Sequence, residues 1–92
     1  MHKFNVASYT KSNSLWYSNG GKLIVTDDEY IVKYLFWTVA RFDISKTTVL
    51  EIPPLMYHSG IRLDNGDTSI DLYLFPKTAT ALQNLLYYKE AP

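Results

Sequence analysis

The chain has 92 residues, 47% apolar and 15% aromatic, and its 9 Lys and Arg balance 9 Asp and Glu to zero formal charge. That composition excludes a disordered chain, and a length of this order makes one domain, residues 1–92. The absence of cysteine excludes disulfide stapling, thiolate catalysis and cysteine-based zinc sites.

A domain this small buries only about 60–65% of the surface its unfolded chain exposes, so each core position carries weight. The cations Lys3, Lys11, Lys22, Lys33, Arg41, Lys46, Arg62, Lys77 and Lys89 are scattered along the chain. A nucleic-acid partner leaves a basic run or stripe, so none is expected. The opening MHKFNVASYTKS lacks the apolar core of a signal peptide, and the uncharged run 34–40 is far too short to span a bilayer. These features predict a soluble, cytoplasmic protein.

In chain order, Phe4, Val6 and Tyr9 suggest a first strand, and residues 8–14 read as a polar loop. Leu15-Trp16-Tyr17 returns to strand-forming types, and Asn19-Gly20-Gly21 is a strong turn signal. Leu23 and Val25 then alternate with Lys22, Ile24 and Thr26. Asp27-Asp28-Glu29 favours a turn and resists a strand. Tyr30, Val32, Tyr34 and Phe36 alternate next, and Ala40, Phe42 and Ile44 repeat the pattern. Neither Gly, Pro nor Asn lies between Tyr30 and Ile44, so a hairpin turns inside that run, near Phe36-Trp37-Thr38; the alternative is one long bent strand.

Ser45-Lys46 is a tight polar connection, and residues 47–52 form a short β-branched strand that Pro53-Pro54 ends. Leu55-Met56-Tyr57-His58 is a loop or a short edge strand. Residues 60–64 alternate with Ile61 and Leu63 inward, Asn65-Gly66 signals a hairpin, and residues 69–75 follow with Ile70, Leu72 and Leu74 on one face. The period then changes. Ala79, Leu82, Leu85 and Leu86 fall at helical spacing behind Pro76, which predicts a helix over 76–88 that must dock its apolar stripe.

The run GGKLIVTDDEYIVK resembles the opening of GRAM domains and related bacterial PH-like domains: a glycine pair, an alternating strand ending in Thr-Asp, a tight turn, then a strand. Phe42-Asp43-Ile44, Thr47-Thr48-Val49, Asn65-Gly66 and Leu74-Phe75 before a helix are similar to later parts of that family, and the resemblance spans about residues 6–88. It implies a mainly β fold: a small PH-like antiparallel barrel of about seven strands in two near-orthogonal sheets, with one C-terminal α-helix. Family members bind phosphoinositides, phospholipids or peptides, or self-assemble, and fold alone does not choose among these. The acidic turn Asp27-Asp28-Glu29 departs from the basic loop of lipid-binding members, and Lys11 and Lys22 are thin support for a headgroup, so no lipid site is carried over.

Catalytic constellations are missing. His2 and His58 are the only histidines and do not form a metal set, and Ser59 beside His58 would face the opposite way on a strand. Asp64-Asn65-Gly66-Asp67 resembles half of a calcium loop, but position twelve is Phe75, and a hairpin turn explains the same residues. The aromatics are in surplus, and Phe36, Trp37, Trp16, Tyr17, Tyr87 and Tyr88 are the candidate binding residues; the competing role for Trp37 is to cap one barrel end. The sequence therefore predicts a non-catalytic binding module without metal or cofactor. Its expected partner is a protein or a second copy of itself, and the alternative is a phospholipid membrane surface met through the apolar loop near Trp37.

Overall fold

A computed structural model describes residues 2–11 and 14–90, with side chains described over 2–10 and 21–86. The strands are β1 (His2–Lys11), β2 (Ser14–Val25), β3 (Glu29–Tyr34), β4 (Trp37–Asp43), β5 (Thr48–Leu55), β6 (His58–Asp64) and β7 (Ser69–Leu74). A 3-10 turn at Ile44–Lys46 links β4 to β5, and α1 (Pro76–Glu90) ends the described chain. The fold is mainly β, seven antiparallel strands curled into a half-barrel with one C-terminal helix.

The strands form one continuous sheet in the order β4-β3-β2-β1-β7-β6-β5. The two sheets expected from the sequence are the two halves of this one, and β1 joins them. Its whole length pairs with β2, while Ser8, Tyr9 and Thr10 also pair with Tyr73, Leu72 and Asp71 of β7. At the junction the β1–β2 register breaks. Val6 pairs with Gly21 and Ser8 with Tyr17, so Ala7 stands against residues 18–20. A bulge bends its strand and increases local twist, which is what a sheet needs in order to curl.

This irregularity corrects the reading of Asn19-Gly20-Gly21 as a turn: β2 runs through it unbroken. Small residues suit a bulge as well as a turn, so the signal was ambiguous. Residues 8–11 are likewise strand, not loop: all four pair with β2, and 8–10 also with β7. The turn expected at 36–38 sits at Leu35-Phe36, with Tyr34 paired to Trp37. Pro53-Pro54 does not end β5. The strand continues to Leu55, and its register slips between Ile52 and Leu55 where the prolines lie. Proline is tolerated there because β5 is an edge strand and owes no ladder bond on its outer side.

The core lies on the concave face. Alternation places Leu23, Val25, Tyr30, Val32 and Phe42 inside from one half, and Ile61, Leu63, Ile70, Leu72 and Leu74 from the other. Helix α1 adds Ala79 and Leu82, both buried, with Leu85 and Leu86 packed against the same cluster. Burial of a leucine such as Leu82 contributes roughly 1.5–3 kcal/mol, which is what fixes this helix on the sheet. The acidic turn is closed by Thr26, whose hydroxyl accepts from the Glu29 and Asp28 N–H groups at 2.9 and 3.2 Å. Asp27 and Asp28 are exposed there, as turn residues should be.

Candidate functional site

The site is built on the β3–β4 hairpin. Leu35 and Phe36 make its two-residue turn, and Trp37 opens β4. Their relative exposures are 54%, 92% and 64%, so three consecutive large apolar side chains stand in water. Trp37 is paired with half-buried Tyr34 on the concave side, but it lies at the rim and does not cap the barrel end. Leu35 has φ 55°, in the left-handed region that costs a branched L-residue roughly 1–2 kcal/mol. Glycine would remove that cost, so the chain retains strain and apolar exposure together at one tip.

A second tip repeats the arrangement. The β5–β6 hairpin turns at Met56-Tyr57, with Leu55 paired to His58. Met56 has φ 56°, and the two residues are 76% and 84% exposed. His58 is half-buried with its ring edge-to-face on Phe75, centroids 5.0 Å apart. Alternating strand directions put this tip at the end of the sheet opposite Phe36.

Of the six candidate binding residues, Phe36 and Trp37 lie together on the first tip. Trp16, Tyr17, Tyr87 and Tyr88 fall outside the described side chains. The signal that sequence reasoning missed is Leu35 and Met56, whose backbone conformation no composition rule indicates.

The convex face carries charge. Register places Lys3, Ile24, Ile31 and Arg41 in one row across β1–β4, and Asn5, Lys22, Lys33 and Thr38 in the next. Cations scattered in sequence therefore share one face. Arg41 donates to Glu29 at 3.2 Å, both partly exposed. On the other half, Arg62 holds Asp71 through two bonds of 2.7 and 3.1 Å, and this pairing keeps the guanidinium more firmly protonated.

A shallow cleft of about 220 Å³ lies between β5, β6 and α1, lined by Glu51, Ile52, Pro54, Ser59, Gly60, Ile61 and Gln83. Gln83 Nε2 donates to Glu51 Oε1 at 3.0 Å. The lining holds one carboxylate, Glu51, one hydroxyl, Ser59, and no histidine. Among the described residues, no three His, Asp or Glu side chains gather as a metal set. Burial, with Tyr34 nearby, pushes the Tyr9 phenol up and keeps it neutral. Among the described residues no helix is long and apolar enough to cross a membrane. The chain matches no family model, no curated protein and no solved structure.

Proposed function

We propose that this protein is a non-catalytic binding module that grips another polypeptide, a partner or a second copy of itself, through the β3–β4 tip. The observation that carries this is the display of Leu35, Phe36 and Trp37 on a strained turn. Exposed aromatic side chains are the usual anchors of protein interfaces, and each loses much water-contacting area when covered. The order of seven strands and a helix is the one that a resemblance to GRAM and PH-like domains implies. The sheet edges are poorer docking surfaces. β5 is blunted by Pro53-Pro54, and β4 carries a bulge at Val39 and the charges of Arg41 and Asp43.

The test is a photo-cross-linking side chain at position 36, compared with one at exposed Thr80 on α1. Adducts to polypeptide from position 36 alone are expected, lost on Trp37→Ser. Equal adducts from both positions, or none, overturn the reading. Phe36 at the very apex also has the placement of a shallow membrane wedge. Flotation with phospholipid vesicles that Phe36→Ser abolishes, without protein adducts, would favour that second reading.

A further inference from the structure

The convex face of β1–β4 gathers four cations, Lys3, Lys22, Lys33 and Arg41, in two adjacent rows. Lys22 stands directly opposite Lys33, and Lys3 and Arg41 flank Ile24 and Ile31 in the adjacent row. Directly opposed like charges destabilise a sheet. Neither Lys22 nor Lys33 has a hydrogen bond or ion pair with any described residue. Ile24 and Ile31 between the cations are only half-covered, and they add an apolar floor. Two carboxylates, Glu29 and Asp43, bound the face at its next row. Arg41 spends its charge on Glu29, and Ser45 donates to Asp43, so the border is internally compensated while the lysines are not.

We propose that this face binds an acidic polypeptide segment in extended conformation, resting on the reading of the protein as a protein-binding module. Charge complementarity selects the class. A second copy of the same face stacked row on row would bring cations against cations, and its carboxylates Glu29 and Asp43 are already engaged by Arg41 and Ser45. Cations on neighbouring rows stand about 7 Å apart along the strands, the spacing of alternate residues in an extended chain. Of the side chains such a segment turns toward the sheet, a carboxylate would meet Lys22 and Lys33, and an apolar group at the next inward position, two residues along, would rest on Ile24 and Ile31. A planar anionic membrane lacks that apolar alternation and would press its phosphates on Glu29 and Asp43. Nucleic acid would find no described aromatic on this face to stack its bases.

The test is fluorescence anisotropy with a short labelled peptide of repeating Glu-Ser-Val-Ser (the Glu-Val peptide), which turns Glu and Val to the same face, against its Lys-Ser-Val-Ser counterpart, phosphatidylserine vesicles and single-stranded DNA. The Glu-Val peptide should bind, and binding should weaken as salt rises. Lys22→Glu with Lys33→Glu should weaken it by about tenfold or more, the neutral pair Lys22→Gln with Lys33→Gln by less, and Lys77→Glu on α1 should change nothing. No binding, binding indifferent to the double reversal in a chain that still folds, or tighter retention of DNA or vesicles overturns the proposal. Protein adducts at position 36 that survive the double reversal, with no peptide binding, would sink this inference and leave the tip reading intact. Peptide binding without adducts at 36 would do the reverse.

Discussion

Leu35 and Met56 are the first residues of two-residue hairpin turns on opposite flanks of the sheet, and both hold a left-handed backbone, φ 55° and 56°. Each turn also exposes its second residue, Phe36 or Tyr57, almost completely. The strain and the display coincide twice, and the first tip yields the first prediction. Leu35→Gly relieves roughly 1–2 kcal/mol of left-handed strain and loses roughly 0.5–1 kcal/mol to the freer unfolded chain. Urea unfolding should therefore find the variant as stable as the parent or slightly more so, while cross-linking from position 36 falls. A loss above about 1 kcal/mol would mean that Leu35 packs in a way its 54% exposure does not suggest.

Lys22→Glu should raise stability. It turns the opposed Lys22–Lys33 pair into an attractive one, worth roughly 0.2–1 kcal/mol. Thermal unfolding at low salt reads the gain, and added salt should shrink it. The same substitution should weaken binding of the acidic peptide, so stability and binding move in opposite directions.

Ser8 is 1% exposed at the bulge between the two halves of the sheet, and its Oγ has no hydrogen-bond partner among the described residues. Ser8→Ala removes an unsatisfied buried hydroxyl and should stabilise by about 1 kcal/mol. Chemical denaturation measures this directly. A clear destabilisation would show that the hydroxyl is satisfied after all.

Gly60 faces the slipped segment of β5. A Cβ there would lie 2.6 Å from Ile52 Cγ1 and 2.9 Å from the Pro53 carbonyl oxygen. The isoleucine is β-branched and stiff at χ1, and the backbone oxygen cannot retreat without moving the strand. Gly60→Ala should cost about 1–3 kcal/mol, read as a lower denaturation midpoint with an unchanged slope.

Asp43 gives a pH signature. Its carboxylate accepts from the Ser45 hydroxyl and N–H at 2.8 and 3.0 Å, which lowers its pKa below the ordinary 3.8, with Lys46 adding a smaller pull. A lowered folded value stabilises above the unfolded pKa, and that contribution disappears as pH falls through the folded value. Carboxyl NMR titration should place the Asp43 midpoint below 3.8, and Ser45→Ala should move it upward. An unmoved midpoint would assign the shift to something other than these bonds.

Much of the fold is legible in residue order because burial follows a two-residue period. Leu23 and Val25, Ile61 and Leu63, and Ile70, Leu72 and Leu74 alternate and are all buried, and Ala79 and Leu82 announce the helical face. What is not legible depends on register. Lys3, Lys22, Lys33 and Arg41 look scattered until antiparallel pairing folds their positions onto one surface. The glycine pair at 20–21 fits a bulge as well as a turn, and Pro53-Pro54 stops a central strand but not an edge one. The exposed tip was half visible: Phe36 and Trp37 stood out as surplus aromatics, while the turn at Leu35 carries no glycine to mark it.

The seam between Ser8 and Tyr73 joins segments from opposite ends of the described chain. During synthesis the first four strands leave the ribosome and can pair as they emerge, but β7, which locks onto β1, arrives only after nearly everything else. Until then the apolar side of the early strands has no lid and the free side of β1 no neighbour. Closure of the sheet is therefore a long-distance contact, the kind that has to bear the entropy of closing a long loop before it contributes stability.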